Sequence, residues 1–243
     1  MRAVILAGGR GTRLLPYTLV LPKPLMPVGD LSILEIVLLQ LAARGFLRAT
    51  LAVGHLADLI RAVIGDGARY GLAVDYSVEQ APLGTAGPVG LVEGLDRDGT
   101  FVVMNGDLLT DLDFGALVES HRASKAACTM AVYKKDVKID LGVLELSGDD
   151  VAGYSEKPTL SYSVSSGIYA FDARALAHLP RGRRFDLPDL VRALIAAGER
   201  VRAHRFDGTW LDMGTPDDYA LATERFQQER ERFLPGGLKP KER

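Results

Sequence analysis

Short apolar runs alternate with stretches of helical period through the first half of the chain. Residues 2–6 read as a short buried strand, because Ala, Val, Ile and Leu follow one another and stop at a glycine cluster. Leu34, Val37, Leu38 and Leu41 then recur at i, i+3, i+4 and i+7, with Ser32 and Glu35 at capping-box spacing ahead of them and Gly45 behind. That spacing predicts a helix. The rhythm continues with strands at 51–53 and 72–78, helices at 56–64 and 86–93, and an apolar strand at 101–104 running into Asn105-Gly106-Asp107. After a helix at 114–124, strand-like runs crowd at 127–133, 141–146, 151–155 and 163–171, so the second half is expected to be mixed and partly antiparallel. Helices at 173–178 and 188–197, a strand at 201–206 and a long helix over 216–233 complete the chain, and 235–243 reads as a mobile tail. The alternation implies a mostly parallel sheet covered on both faces, with right-handed crossovers. Ligands then belong at the carboxyl ends of the strands, where the loops after residues 6 and 104 lie.

The first of those loops, Leu6-Ala7-Gly8-Gly9-Arg10-Gly11-Thr12-Arg13, has glycines that let backbone N–H groups approach a phosphate unobstructed. It is not a Walker loop, since no Gly-Lys pair occurs in the chain, and Leu14 replaces the last glycine of the dinucleotide fingerprint. Arg13 and Lys23 add two cations, and Pro22, Pro24 and Pro27 are expected to hold the Lys23 segment extended. Asp107 ends an apolar strand, where a carboxylate can meet a hard cation that also touches phosphates; by its residue type alone it is as easily a turn former. Asp212, in Trp210-Leu211-Asp212-Met213-Gly214, has the same two readings. Glu156-Lys157-Pro158 sets an acceptor beside a cation, which is an inert exposed ion pair or a site for hydroxyls and an adjacent phosphate.

The pattern Leu6-Ala7-Gly8-Gly9-x-Gly11-Thr12-Arg13-Leu14-x-Pro16-x-Thr18-x-x-x-Pro22-Lys23-Pro24-x-x-Pro27-Val28 spans 23 residues. It closely resembles the signature of the sugar-phosphate nucleotidyltransferases, the nucleotide-sugar pyrophosphorylases, and within them the mannose-1-phosphate guanylyltransferase-like members. The resemblance implies a Rossmann-like α/β domain over 1–234. Its nucleotide-binding half would cover about 1–125 and its sugar-phosphate half about 126–234, with a single helix and short tail after Asp212 and no C-terminal β-helix. It implies that the glycine loop holds the triphosphate, that Arg13 and Lys23 neutralise the transferring and leaving phosphates, and that Asp107 and Asp212 bind Mg²⁺. Pro82, Gly84 and Thr85 match the nucleotide-side loop, although Thr85 is equally an N-cap for the helix expected after it. Gly142, Glu156, Lys157 and Gly167 match the sugar side, Glu156 facing sugar hydroxyls and Lys157 the sugar's phosphate. Glu79, five residues before Gly84 at the end of a strand, is expected to face the base edge, where a carboxylate would accept both N–H donors of guanine; the rival readings are a solvated loop residue at 79 or Gln80 in that place.

The implied reaction is transfer of a nucleotidyl group from a nucleoside triphosphate to a sugar 1-phosphate, with GTP and a mannose- or heptose-like sugar favoured over glucose 1-phosphate with UTP, dTTP, CTP or ATP. A non-catalytic nucleotide-sugar sensor is the rival from another class, and a nicotinamide oxidoreductase is disfavoured by Leu14. Composition narrows the partners. The formal charge of −2 supplies no global field for nucleic acid or an anionic membrane, and 47% hydrophobic content suffices for one sizeable core. Cys128 is the sole cysteine, and no stretch has the length of a signal h-region or a membrane span, so an unprocessed soluble cytoplasmic protein is expected, with homo-oligomerisation left open. His55, His121, His178 and His204 have no metal-ligand spacing.

Overall fold

A computed structural model describes residues 1–242. The expected first strand, β1 (Arg2–Ala7), is followed by a hairpin of β2 (Pro27–Val28) and β3 (Leu31–Ser32) that feeds α1 (Ile33–Ala43). The reciprocal Ser32–Glu35 capping box is formed, and α1 is buried on nearly every side, from Ile33 to Leu41. Then come β4 (Arg48–Val53), α2 (Ala57–Ile64), β5 (Ala73–Val78), β6 (Thr100–Asn105), β7 (Leu108–Thr110) and α3 (Phe114–Ser124). The second half contributes β8 (Cys128–Lys138), the hairpin β9 (Val143–Ser147) and β10 (Asp150–Ser155), and the long β11 (Thr159–Asp172). It ends with α4 (Leu187–Ala196), β12 (Val201–Phe206), β13 (Trp210–Asp212), α5 (Pro216–Gln228) and α6 (Arg230–Phe233).

Seven strands form one sheet in the order β12-β8-β11-β6-β1-β4-β5. Every neighbouring pair is parallel except those of β11, which runs antiparallel to both β6 and β8. The fold is therefore the expected mixed, mostly parallel sheet with helices on its faces. Side chains of β1 alternate between two cores: Ala3, Ile5 and Ala7 pack on the α1 side, and Val4 on the other. Register then fixes the site. Leu6 stands opposite Asn105 on one flank, while Ala7, Val53 and Val78 lie in one row on the other. Residues 8, 54, 79 and 106 consequently leave the sheet side by side at its carboxyl edge.

Several expectations are corrected. The helix placed at 86–93 is a 3₁₀ turn over Gly87–Leu91, because two glycines and a proline in five residues are poor helix formers. The segment 173–178 is likewise a 3₁₀ turn, and the long terminal helix breaks at Glu229 into α5 and α6. Lys23 is not in an extended segment. It opens a 3₁₀ turn, Lys23–Leu25, in which the Leu25 N–H donates to the Pro22 carbonyl and the Met26 N–H to the Lys23 carbonyl, with extended backbone at the flanking Pro22 and Met26. The segment after 234 lies against the body, with Leu238 packed on the main core and the Lys241 N–H donating to the Arg69 carbonyl at 2.8 Å; Arg243 is outside the described residues. Among the described residues no helix is long and apolar enough to cross a membrane.

Gln40, buried on α1, fastens two parts of the chain to the core. Its Nε2 donates to the Thr110 carbonyl at 2.8 Å and to the Phe233 carbonyl at 2.9 Å. Replacing Gln40 by Leu leaves both acceptors without that donor, at roughly 1–3 kcal/mol for each group left buried and unpaired. The unfolding free energy from urea titration should fall by about that amount, and an unchanged midpoint would show that water takes over both bonds.

Candidate active site

The glycine loop is shaped from below. Gly11 takes the left-handed conformation that opens the turn Thr12–Leu14, Leu14 is fully buried, and the Thr18 hydroxyl donates to the Gly11 carbonyl at 2.8 Å. That leaves residues 8–11 as open backbone over the ends of β1 and β4. Lys23 approaches from the other side with only 8% of its surface exposed. Its ammonium is paired directly with Asp107 and stands 3.7 Å from Asp212 Oδ1. The short antiparallel ladder of β7 and β13 brings these aspartates together, since Asp212 is the register partner of Leu108 and the Met213 N–H donates to the Asp107 carbonyl. Neither strand was foreseen, being three residues long. Arg13 lies against Gly214, two residues beyond Asp212. Burial first, and then the like charge of Asp107, raise the Asp212 carboxyl above the ordinary carboxylate range, against the opposing pull of Lys23 and Arg13.

These loops enclose a cleft of about 720 Å³. Of the residues singled out in the sequence, Leu6, Ala7, Gly8, Gly9, Gly11, Thr12, Arg13, Lys23, Glu79, Pro82, Gly84, Thr85 and Asp107 all line it, and Gln80 does too. Asp212 joins them through Lys23. Glu79 lays its carboxylate over the backbone of Gly8 and Gly54, and its Oε2 accepts the Leu83 N–H at 3.0 Å. Thr85 is not the cap of a following helix. Its hydroxyl donates to Asp186 and accepts the Leu187 N–H at 2.8 Å, so it serves the start of α4, a hundred residues away. Gly84, at φ +80°, turns the chain where a Cβ would strike Asp186 and the Phe185 carbonyl.

The sugar-side residues are placed differently. Gly142, Glu156 and Lys157 lie on the exposed β9–β10 extension, outside the cleft walls; Lys157, at φ +45°, turns the chain after β10. Gly167 sits within the register shift of β11, packed on the Asn105 amide at the cleft edge. Asn105 and Arg184 also line the cleft, and neither was among the sequence's site residues. A signal for Arg184 existed in the basic run Arg181-Gly182-Arg183-Arg184 just before the α4 capping box, but nothing local tied that run to a loop at residue 84.

An open glycine loop and a buried lysine between two aspartates, set at the carboxyl ends of parallel strands, define an α/β protein built to receive a phosphorylated ligand. The chain belongs to the nucleotidyl transferase family, whose model matches residues 2–229. It is 34% identical to a mannose-1-phosphate guanylyltransferase of Mycobacterium tuberculosis, over 89% of this chain and 62% of that protein. It is 33% identical to a UTP–glucose-1-phosphate uridylyltransferase of Synechocystis, over 90% of this chain and 61% of the relative. The chain thus spans less than two thirds of the length of these relatives. A crystal structure of a putative glucose-1-phosphate thymidylyltransferase from Bacillus anthracis shares the fold with a TM-score of 0.75 at 24% identity, covering 92% of this chain and 94% of that one. HddC from Yersinia pseudotuberculosis, also solved in complex with GMP-PN, aligns with a TM-score of 0.71 at 26% identity, covering 93% of this chain and 99% of its own.

The raised Asp212 carboxyl has a consequence for stability. A carboxyl whose pKa is higher folded than unfolded favours the fold below the unfolded value, and that contribution is lost as pH rises through the folded one. In chelator at neutral pH, Asp212→Asn should therefore melt at a higher temperature than the parent protein, and the difference should shrink as the pH falls toward ~4. A lower melting temperature for the variant at pH 7 would contradict the account.

Proposed function

We propose that this chain transfers a nucleotidyl group from a nucleoside triphosphate to a sugar 1-phosphate, releasing pyrophosphate. The observation that carries the proposal is the buried Lys23 ammonium held between Asp107 and Asp212 at the glycine-loop cleft. An oxygen of the sugar phosphate attacks the α-phosphorus. A P–O bond forms to the sugar phosphate as the bond to the β-phosphate oxygen breaks, and pyrophosphate carries away the electron pair. A phosphate nucleophile is already anionic near neutral pH, so no general base is needed, and positioning with charge neutralisation supplies the rate. The backbone of residues 8–11 receives the triphosphate, Arg13 and Lys23 balance the charge on the transferring and leaving groups, and Lys157 meets the incoming sugar phosphate.

The donor set suits Mg²⁺. Two hard carboxylates beside a phosphate cleft, one of them destabilised as an anion by burial and by the other, are what a divalent cation would relieve. Asp107 and Asp212 would hold it, and when bound it would stabilise negative charge on phosphate oxygens. Both relatives named as guanylyl- and uridylyltransferases leave the base open; we favour GTP with a mannose- or heptose-like 1-phosphate, supported by the position of Glu79 in the cleft. UTP with glucose 1-phosphate is the second reading, favoured by the Synechocystis relative's name. The site belongs to a soluble cytoplasmic enzyme in this proposal.

Pyrophosphate release across a matrix of nucleoside triphosphates and sugar 1-phosphates tests the activity. At least one pair should turn over with Mg²⁺ and stop with EDTA. Asp107→Ala and Asp212→Ala should each lower turnover by ~10²-fold or more, since preorganised charge stabilisation is worth several kcal/mol. Nucleotide binding without turnover in every pair would identify a sensor instead.

Glu79 provides a separate test. One of its oxygens already accepts the Leu83 N–H, and the other lies over Gly8 and Gly54, so the carboxylate is fixed within the cleft wall. Glu79→Gln removes the charge and adds a donor. GTP use should fall relative to UTP or dTTP by a factor corresponding to roughly 1–3 kcal/mol per charged hydrogen bond lost. An unchanged ratio of kcat/KM between GTP and UTP would remove Glu79 from base selection and leave the transferase proposal standing.

A further inference from the structure

On the exposed β9–β10 extension, three residues separated in sequence converge at one point. The Tyr154 hydroxyl donates to Glu156 Oε2 at 2.6 Å. It also lies directly over Gly142, where a Cβ would collide with it. Gly142 does not have the positive φ that would itself call for glycine, so the constraint there is space for the phenol. In β10 a register shift between Val151 and Gly153 precedes Tyr154, which then faces Leu144 across the ladder. Lys157, in the left-handed region, ends the extended run immediately after Glu156 and leaves the carboxylate at a bend.

We propose that Tyr154 is a positioning residue, holding the Glu156 carboxylate in one orientation for the sugar of the substrate; this rests on the sugar-phosphate reading of Glu156 above. An exposed glutamate samples many rotamers, and ordering it on substrate binding opposes affinity. The phenol removes part of that entropy beforehand. It occupies one oxygen of the carboxylate from one side, so the other oxygen is the one left to accept sugar hydroxyls, and its direction is fixed. A fixed acceptor discriminates between epimers, because moving one hydroxyl leaves the acceptor unmatched, whereas a mobile one follows the hydroxyl. The neighbouring carboxylate also raises the Tyr154 pKa, which keeps the phenol a donor.

The test compares mannose 1-phosphate with its C2 epimer glucose 1-phosphate on the full chain, by steady-state kinetics and by calorimetric titration. Tyr154→Phe should raise KM and Kd for the preferred sugar 1-phosphate by roughly 3–10-fold, the scale of the net worth of one ordinary hydrogen bond, and compress the kcat/KM ratio between the epimers. kcat and the affinity for the nucleoside triphosphate should change less than about twofold. On a Glu156→Ala background, Tyr154→Phe should add nothing. If Glu156→Ala weakens sugar 1-phosphate binding while Tyr154→Phe leaves both KM and the epimer ratio unchanged, the positioning role is overturned and the sugar-side reading survives. If Glu156→Ala itself leaves every sugar 1-phosphate affinity unchanged, the sugar-side reading fails and the positioning role fails with it.

Discussion

A lysine ammonium removed from water beside two carboxylates constrains everything around it. Lys23 can be buried because Asp107 and Asp212 compensate its charge, and the two aspartates can stand close to one another because Lys23 lies between them. Ion pairs of this kind add little net stability, since desolvation offsets most of the attraction, yet removing Lys23 or its direct partner Asp107 leaves an uncompensated charge. The cluster must therefore be assembled as a set. Asp107 comes from the end of a central parallel strand. Asp212 comes from a three-residue strand with no sheet of its own apart from the ladder it forms with β7. Pro22 and the 3₁₀ turn of Lys23–Leu25 set the direction from which the ammonium enters. Burial and the neighbouring Asp107 raise the Asp212 carboxyl even against the pull of Lys23 and Arg13, so the two aspartates are not equivalent members of the cluster.

The parts of this design that were legible in the sequence are those whose cause is local. β1 and β6 show as apolar runs, β4 shows only over Leu51–Val53 because Arg48 and Thr50 interrupt its first half, and the Ser32–Glu35 capping box marks α1 without ambiguity. Within the contiguous motif, Leu6 to Leu14 and Lys23 end up in one cleft because strand, loop and turn leave few ways to fold so short a stretch. What was not legible is long-range. Nothing within Leu108–Thr110 or Trp210–Asp212 marks a strand; each exists through the other. The charged stretch at 134–138 continues β8 past the core only because β11 pairs with it along its whole length. The glycine and proline content of 87–91 should have outweighed its apolar pattern, and there the sequence carried the better answer.

Long-range stitching also explains why a residue from 184 belongs to a wall built around 84. The Leu83 N–H donates to Glu79, the Leu83 carbonyl accepts the Phe185 N–H, and the Phe185 carbonyl accepts the N–H groups of both Ala86 and Gly87. Asp186 completes the seam by accepting from the Thr85 backbone and hydroxyl. These bonds pair backbone groups of the two loops with one another and with the Thr85 and Asp186 side chains, and so tie the segment before α4 to the cleft wall. Arg184 reaches the cleft as a consequence of that seam.

The two ends of the site are thus held by different means. Around Glu79, Gly84 and Thr85 the backbone is tied into both halves of the chain, so the cleft wall can open only by breaking several hydrogen bonds together. The extension bearing Gly142, Tyr154, Glu156 and Lys157 is exposed over almost all of its length, and within it β9 and β10 pair only with each other. A two-stranded hairpin whose apolar side chains, Leu144, Leu146, Val151 and Tyr154, stay exposed is marginal by itself, and local opening should be easiest there. Under the proposed reaction, a nucleotide would meet a wall whose geometry is already set by the sheet. A sugar phosphate would meet side chains whose orientation depends on contacts among themselves, which is why a single phenol over a single glycine can matter at one end and not at the other.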